Sequence, residues 1–274
     1  MAVPYFPFSG EIYEPKMGLK PMRWENWLEI DDKYSACIAR KTELLKTKRE
    51  TVLQVYPEAN DSCIELHEKL KIHLASTAPQ IRIGDSKPTG GAEALAEIST
   101  WTQEDWCLVE PQAPFRLVAG AVCFPSRWSL KEKMGKSPEM VHAPVPDFSK
   151  IQAPTKNFIE KLTPERPMWR LNWTIHDSDE LFCPGPHSSG KKLDRRNVIE
   201  NCFLRVERQT LSRLPSTGAI AFSIRTHLNP LPEVIDTPEK KEMLRLSLEG
   251  LPEETASYRG MAPYFRELKE ALTF

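Results

Sequence analysis

The sequence predicts an α+β fold, and three observations carry that expectation. Two amphipathic helical stretches come first, at 34–55 and 61–74, with apolar residues recurring at three- and four-residue steps. Five strand-length segments follow, two before and three after a run of short helices, and the last three alternate apolar and polar residues with a period of two. A helical tail begins at Pro238.

The chain has 274 residues and a formal net charge of -1, with 40% hydrophobic residues. That length suffices for a sizeable core. The charge argues against a dedicated nucleic-acid binder, because neutralising phosphates needs a basic excess. No run reaches the ~20 apolar residues of a membrane span, and MAVPYFPFSG lacks the basic start and apolar stretch of a signal peptide. The six cysteines are scattered without a C-x-x-C pair, so a zinc or iron–sulfur site is not expected. They read as reduced core residues, which implies a cytoplasmic protein. The expected organisation is one compact unit: 1–100 an N-terminal arm with helices, 101–230 the core, and 231–274 a helical extension.

In chain order, Tyr5, Phe6, Phe8, Tyr13, Trp24 and Trp27 read as an arm packed on the core. Cys37, Ile38, Leu44, Leu45, Val52 and Leu53 form the apolar stripe of the first helix, which Pro57 closes. Cys63, Leu66, Leu70 and Leu74 form that of the second, with Asp61 as N-cap and with His67 and His73 at its surface or boundary. The loop Gly84–Gly91 lacks the Lys-Ser/Thr ending of a phosphate cradle and reads as a variable insertion. Strands are expected at 106–110 and 116–124. The second is a continuous apolar run that suits burial on both faces, and Pro125 ends it. Ser129 should cap a short helix to Met134, stopped by Gly135, and Ser137-Pro138-Glu139 should form a turn. His142 then lies in a loop stiffened by Pro144 and Pro146. A helix is expected at 151–162.

The three later strands carry the most information. In Met168–Asp177, Arg170, Asn172, Thr174 and His176 oppose Trp169, Leu171, Trp173 and Ile175. In Phe203–Thr210, Arg205, Glu207 and Gln209 oppose Leu204 and Val206, and in Ala219–Leu228, Ser223, Arg225 and His227 oppose an apolar set. A polar stretch at 183–201, containing His187, interrupts the first two, and Leu214–Gly218 is the turn between the last two.

Several separated motifs appear in order: PYFPFSG, MGLKP, PSRW, HAPVPDF, WRLNWTIHD and LRVERQTLSRLPSTGAIAFSIRTHL. Through them the chain resembles the haem-dependent oxidative N-demethylase alpha-subunit family from about Tyr5 to about Gly260, although the stretch 183–201 departs from the family pattern. The resemblance implies a PAS-like core, a five-stranded antiparallel sheet with helices over one face, holding haem b. It also implies a dioxygen-dependent reaction that converts a small secondary amine to a shorter amine and formaldehyde. No flavin, nicotinamide or iron–sulfur motif is present, so electrons are expected from a separate flavin/iron–sulfur reductase. The alternative reading is a haem-binding PAS-type sensor of gas or redox state without turnover.

On that reading two histidines compete as axial ligand, His142 before the long helix and His176 at a strand end. Either could instead be a histidine hydrogen-bonded to backbone. The haem carboxylates call for arginine, whose planar fork matches them. Arg205, Arg208 and Arg225 are the candidates, Arg170 the next, with Asn172 beside them. A solvated sheet face of paired Arg and Glu is the alternative. For an amine that arrives as a cation, Glu207 is the first choice to attract it and take its proton, with Asp177 and His176 as further catalytic candidates.

Overall fold

The computed structural model describes residues 3–11, 13–84, 87–185, 190 and 192–273. His187 and two positions of the 84–91 loop lie outside the described residues. The five expected strands form the middle of a seven-stranded antiparallel sheet. They are β3 (Asp105–Val109), β4 (Leu117–Ala121), β5 (Met168–His176), β6 (Phe203–Arg213) and β7 (Ile220–Pro230). Two short edge strands from the first quarter of the chain were not expected: β1 (Lys20–Pro21) and β2 (Leu53–Val55). The spatial order is β1-β5-β6-β7-β3-β4-β2.

Twelve α-helices are present among the described residues. The first four are α1 (Tyr34–Thr47), α2 (Arg49–Val52), α3 (Asn60–Thr77) and α4 (Gly91–Trp101). The next four are α5 (Leu130–Lys133), α6 (Pro138–His142), α7 (Ser149–Lys161) and α8 (Val198–Asn201). The tail supplies α9 (Leu231–Val234), α10 (Pro238–Glu249), α11 (Glu253–Tyr258) and α12 (Phe265–Thr273).

The first expected helix is too long. It breaks at Lys48, and Leu53–Val55 pair with Ala119–Ala121 instead. A Val-Leu-Gln-Val run sits as readily on a pleated edge as on a helix, and the vacant edge of β4 decides the matter. Asp61 does not cap α3; Ala59 precedes the helix without a side-chain cap. His67 is fully buried, its Nε2 2.9 Å from a Glu97 carboxylate oxygen, rather than at the surface.

Helices cover both faces of the sheet, where one was expected. On one face Leu44, Leu66, Leu70, Leu95 and Ile98 of α1, α3 and α4 pack on Trp106, Leu108, Ala119 and Ala121. On the same face the tail helices place Leu244, Leu248, Leu268 and Leu272 against Ile175, Leu204 and Val206. The opposite face meets α5 and α7. Leu130 and Met134 pack with Cys107 and Phe222, and Phe158 and Ile159 with Ile220, Leu211 and Met168. A Cβ on Gly120 would fall 2.8 Å from Leu130 Cδ1, so the close seat of α5 requires glycine there. All six cysteines are buried, and no disulfide joins them. Among the described residues no helix is long and apolar enough to cross a membrane.

Candidate functional site

The register of β5 on β6 puts Arg170 opposite Gln209, Asn172 opposite Glu207 and Thr174 opposite Arg205. These residues share the face covered by α5 and α7. The Glu207 carboxylate accepts from three neighbours: Arg205 Nε at 3.3 Å, Asn172 Nδ2 at 3.4 Å and Gln209 Nε2 at 3.1 Å. Arg205 is fully buried and also donates to the carbonyls of Phe124 and Leu181 and to Thr226 Oγ1. A guanidinium so occupied orients Glu207 and has no donor face open to a ligand.

The second wall is α6. Ser137 Oγ accepts from Met140 N and Pro138 opens the first turn, so the segment read as a turn and a stiff loop is a helix whose last residue is His142. Its helix, more than the prolines beyond it, holds the imidazole. Nδ1 lies 2.7 Å from the Pro138 carbonyl oxygen, one turn back, and the ring stacks on Phe148 with centroids 4.9 Å apart and 13° between planes. A carbonyl can only accept, so Nδ1 carries the proton and Nε2 keeps its lone pair, with no partner among the described residues. The ring is solvent-accessible yet enclosed on several sides. That enclosure holds its pKa below the usual value; the Arg170 and Lys133 charges act in the same direction and the Pro138 bond opposes them.

The third wall comes from the tail. The carbonyl of Arg259 accepts from Arg127 Nη1 at 3.0 Å and Thr174 Oγ1 at 3.1 Å, which pins the turn Tyr258-Arg259-Gly260 to β5. Arg127 is itself held by Asp177 at 3.0 Å. The Arg259 guanidinium lies 4.5 Å from the Trp173 ring centroid and 5.6 Å from that of Tyr13. Tyr258 is 48% exposed, yet burial followed by the charge of Glu207 raises its pKa. Burial lowers the pKa of both Arg170 and Arg259; Glu207 opposes this for Arg170, and Arg170 adds to it for Arg259.

Four expected site residues lie elsewhere. His176 is fully buried, with Nε2 3.1 Å from Ser126 Oγ, and Asp177 pairs with Arg127; neither reaches the cleft surface. Arg208 and Arg225 lie on the reverse face, because β6 and β7 pair Arg208 with Arg225 and Glu207 with Thr226. Arg208 meets Glu29 at 3.3 Å and the Trp27 carbonyl at 3.3 Å, and Arg225 meets Asp31 at 2.5 Å. An open cavity of about 360 Å³ lies on that side, lined in part by Tyr5, Met22, Glu29, Trp169 and Arg208. Its charged groups neutralise one another: Glu29 takes Arg208, His227 Nε2 at 2.9 Å and the Tyr5 hydroxyl. The structure therefore brings together His142, Arg170, Asn172, Arg205 and Glu207. It adds Tyr258 and Arg259, which the sequence showed only as a tail turn.

Among the described residues no three His, Cys, Asp or Glu side chains converge as a metal cage. The fold thus defines an α+β protein in which one imidazole, two arginines and a carboxylate come within reach of one another's charge along β5 of an antiparallel sheet. The family model for haem-dependent oxidative N-demethylase, alpha subunit-like, matches residues 18–269, and the chain belongs to that family.

Proposed function

We propose that this protein holds haem b in the cleft between β5–β6 and α5–α7 and acts in the oxidative N-demethylation of a small secondary amine. The observation that carries the reading is His142, an imidazole whose Nδ1 is fixed by a backbone carbonyl and whose Nε2 lone pair has no partner among the described residues. Such an imidazole nitrogen would hold the haem iron. The remaining donors suit the rest of such a group, since Arg170 and Arg259 offer guanidinium to carboxylates. Arg205, Arg208 and Arg225 are committed to protein partners and do not serve. When bound, haem supplies the dioxygen and electron chemistry that amino-acid side chains lack.

The chain's own residues bind, orient and move protons. Glu207 attracts the alkylammonium, and its Oε2 takes the proton that frees the nitrogen lone pair. Asn172 and Gln209 hold that oxygen in one direction. The Tyr258 ring at the cleft mouth excludes water from one side. Electrons come from a separate flavin/iron–sulfur reductase, in keeping with a family named for an alpha subunit. A PAS-like core is supported by the five central strands with short helices between the second and third. A single folding unit is supported by β1 and β2 entering the same sheet as the core strands. A cytoplasmic setting is supported by six buried cysteines that form no disulfide.

The test is a visible spectrum of the purified protein, followed by a formaldehyde assay with dimethylamine and a reductant. A Soret band with formaldehyde release is expected, and His142→Ala should lose the band or shift it. Haem without turnover under any reductant would favour the sensor reading. A full haem complement with an unchanged spectrum in His142→Ala would overturn the choice of ligand.

A further inference from the structure

Two guanidinium groups of the cleft have no carboxylate of their own. Arg127, Arg205, Arg208 and Arg225 each sit within 4.0 Å of one: Asp177, Glu207, Glu29 and Asp31. Arg170 and Arg259 form no such pair among the described residues, and Nε of Arg170 and Nη1 of Arg259 are buried without a hydrogen-bond partner. The carboxylate whose charge acts on Arg170 is Glu207, already held by Arg205, Asn172 and Gln209. What meets Arg259 is aromatic: the faces of Trp173 and Tyr13.

Two like charges set near each other and stripped of part of their water destabilise a fold unless a ligand supplies the opposite charge. Arg259 is nevertheless positioned firmly. Two donors, from Arg127 and Thr174, converge on its carbonyl, and the next residue, Gly260, takes φ +76°, with Arg127 filling the space a side chain would occupy. The tail turn is thus pinned to β5 at a place where the charge of Arg170 reaches Arg259.

We propose that Arg170 and Arg259 seat the two carboxylates of the porphyrin, which makes the C-terminal turn a wall of the binding site. This rests on the haem reading above. A guanidinium donates two parallel N–H bonds to a carboxylate, so a porphyrin's two carboxylates call for two guanidiniums, one here from the sheet and one from the tail turn beside it. The assignment differs from the sequence expectation in its residues: of the four arginines named there, Arg170 alone remains, and its companion comes from the tail.

The test uses the full chain freed of porphyrin, titrated with haemin and with haemin dimethyl ester, in which both carboxylates are methylated, and followed by Soret absorbance. Wild-type protein should bind the ester about a hundredfold more weakly than haemin, the scale of two lost charge-assisted bonds at about tenfold each. Arg170→Gln and Arg259→Gln should each lose about tenfold for haemin and change ester affinity by less than about twofold. Equal wild-type affinity for the two porphyrins overturns the carboxylate seat and leaves the haem reading standing. No Soret band with haemin overturns both. The wild-type comparison needs no substitution, so a variant that fails to fold does not weaken the test.

Discussion

Gly260→Ala isolates the joint that fixes the tail to the sheet. At φ +76° an alanine sits in the left-handed region, at a strain of about 1–2 kcal/mol. Its Cβ would lie 2.1 Å from Arg127 Nη1 and 2.6 Å from Cδ and Cζ, so the Arg127 side chain must move. That side chain is not free to do so: it pairs with the buried Asp177 and donates to the Arg259 carbonyl. Losing those charge-assisted bonds costs about 1.5–3 kcal/mol. The stiffer unfolded chain of the alanine variant returns about 0.4–1 kcal/mol. The net expectation is a loss of about 2–4 kcal/mol in urea unfolding, with a lower midpoint and an unchanged slope. Gly185→Ala is the control. No described atom lies within 4 Å of a Cβ built there and its φ is not in the left-handed region, so it should lose nothing and gain up to about 1 kcal/mol from the stiffer unfolded chain. A Gly260→Ala protein less than about 1 kcal/mol below wild type would refute the claim that the tail joint is rigid.

Two further expectations concern the opposite end of the sheet. Lys41 is fully buried, 3.3 Å from Asp105 and bonded to the Thr102 carbonyl, so Lys41→Met should lose about 3–5 kcal/mol by stranding a buried carboxylate. A loss under about 1 kcal/mol would show that the Cys123 and Phe124 amides alone suffice for Asp105. Burial pushes Glu29 and Asp31 up, but bonds and charges from His227, Tyr5 and Arg208 on Glu29, and from Gln103 and Arg225 on Asp31, hold both below their ordinary 4.5 and 3.8. Native carboxyls that resist protonation add stability that is complete above the ordinary values and fades as pH falls through and below them. Unfolding free energy should therefore drop on acidification below about pH 5, and Glu29→Gln should flatten that dependence. An unchanged pH slope in the variant would sink the assignment.

The alternation along β5 and β6 was legible because strand periodicity fixes which residues of one strand share a face. Which face a strand turns toward its neighbour's polar side is a matter of register, and a shift of one residue inverts it. Arg213 opposite Ile220 places odd-numbered residues of β6 with even-numbered residues of β7, so Arg225 and His227 face away from Glu207. The hairpin length carried that information, but alternation alone did not reveal it. Ser137-Pro138 was a helix start overlooked because two later prolines suggested a loop. The alanine-rich α4 was missed next to a loop read as an insertion. Arg259 had no local signal, since only the tertiary docking of the tail brings it to the cleft.

That docking bears on the order of assembly. A chain emerging from the ribosome has completed every strand by Pro230, whereas Tyr258, Arg259 and Gly260 are translated later. Until they arrive, β5 lacks the turn that Arg127 and Thr174 hold against it. A nascent polypeptide could build the entire sheet and still offer a prosthetic group only a half-made berth. On the carboxylate seat proposed above, a porphyrin would meet its second guanidinium only once that last segment has closed.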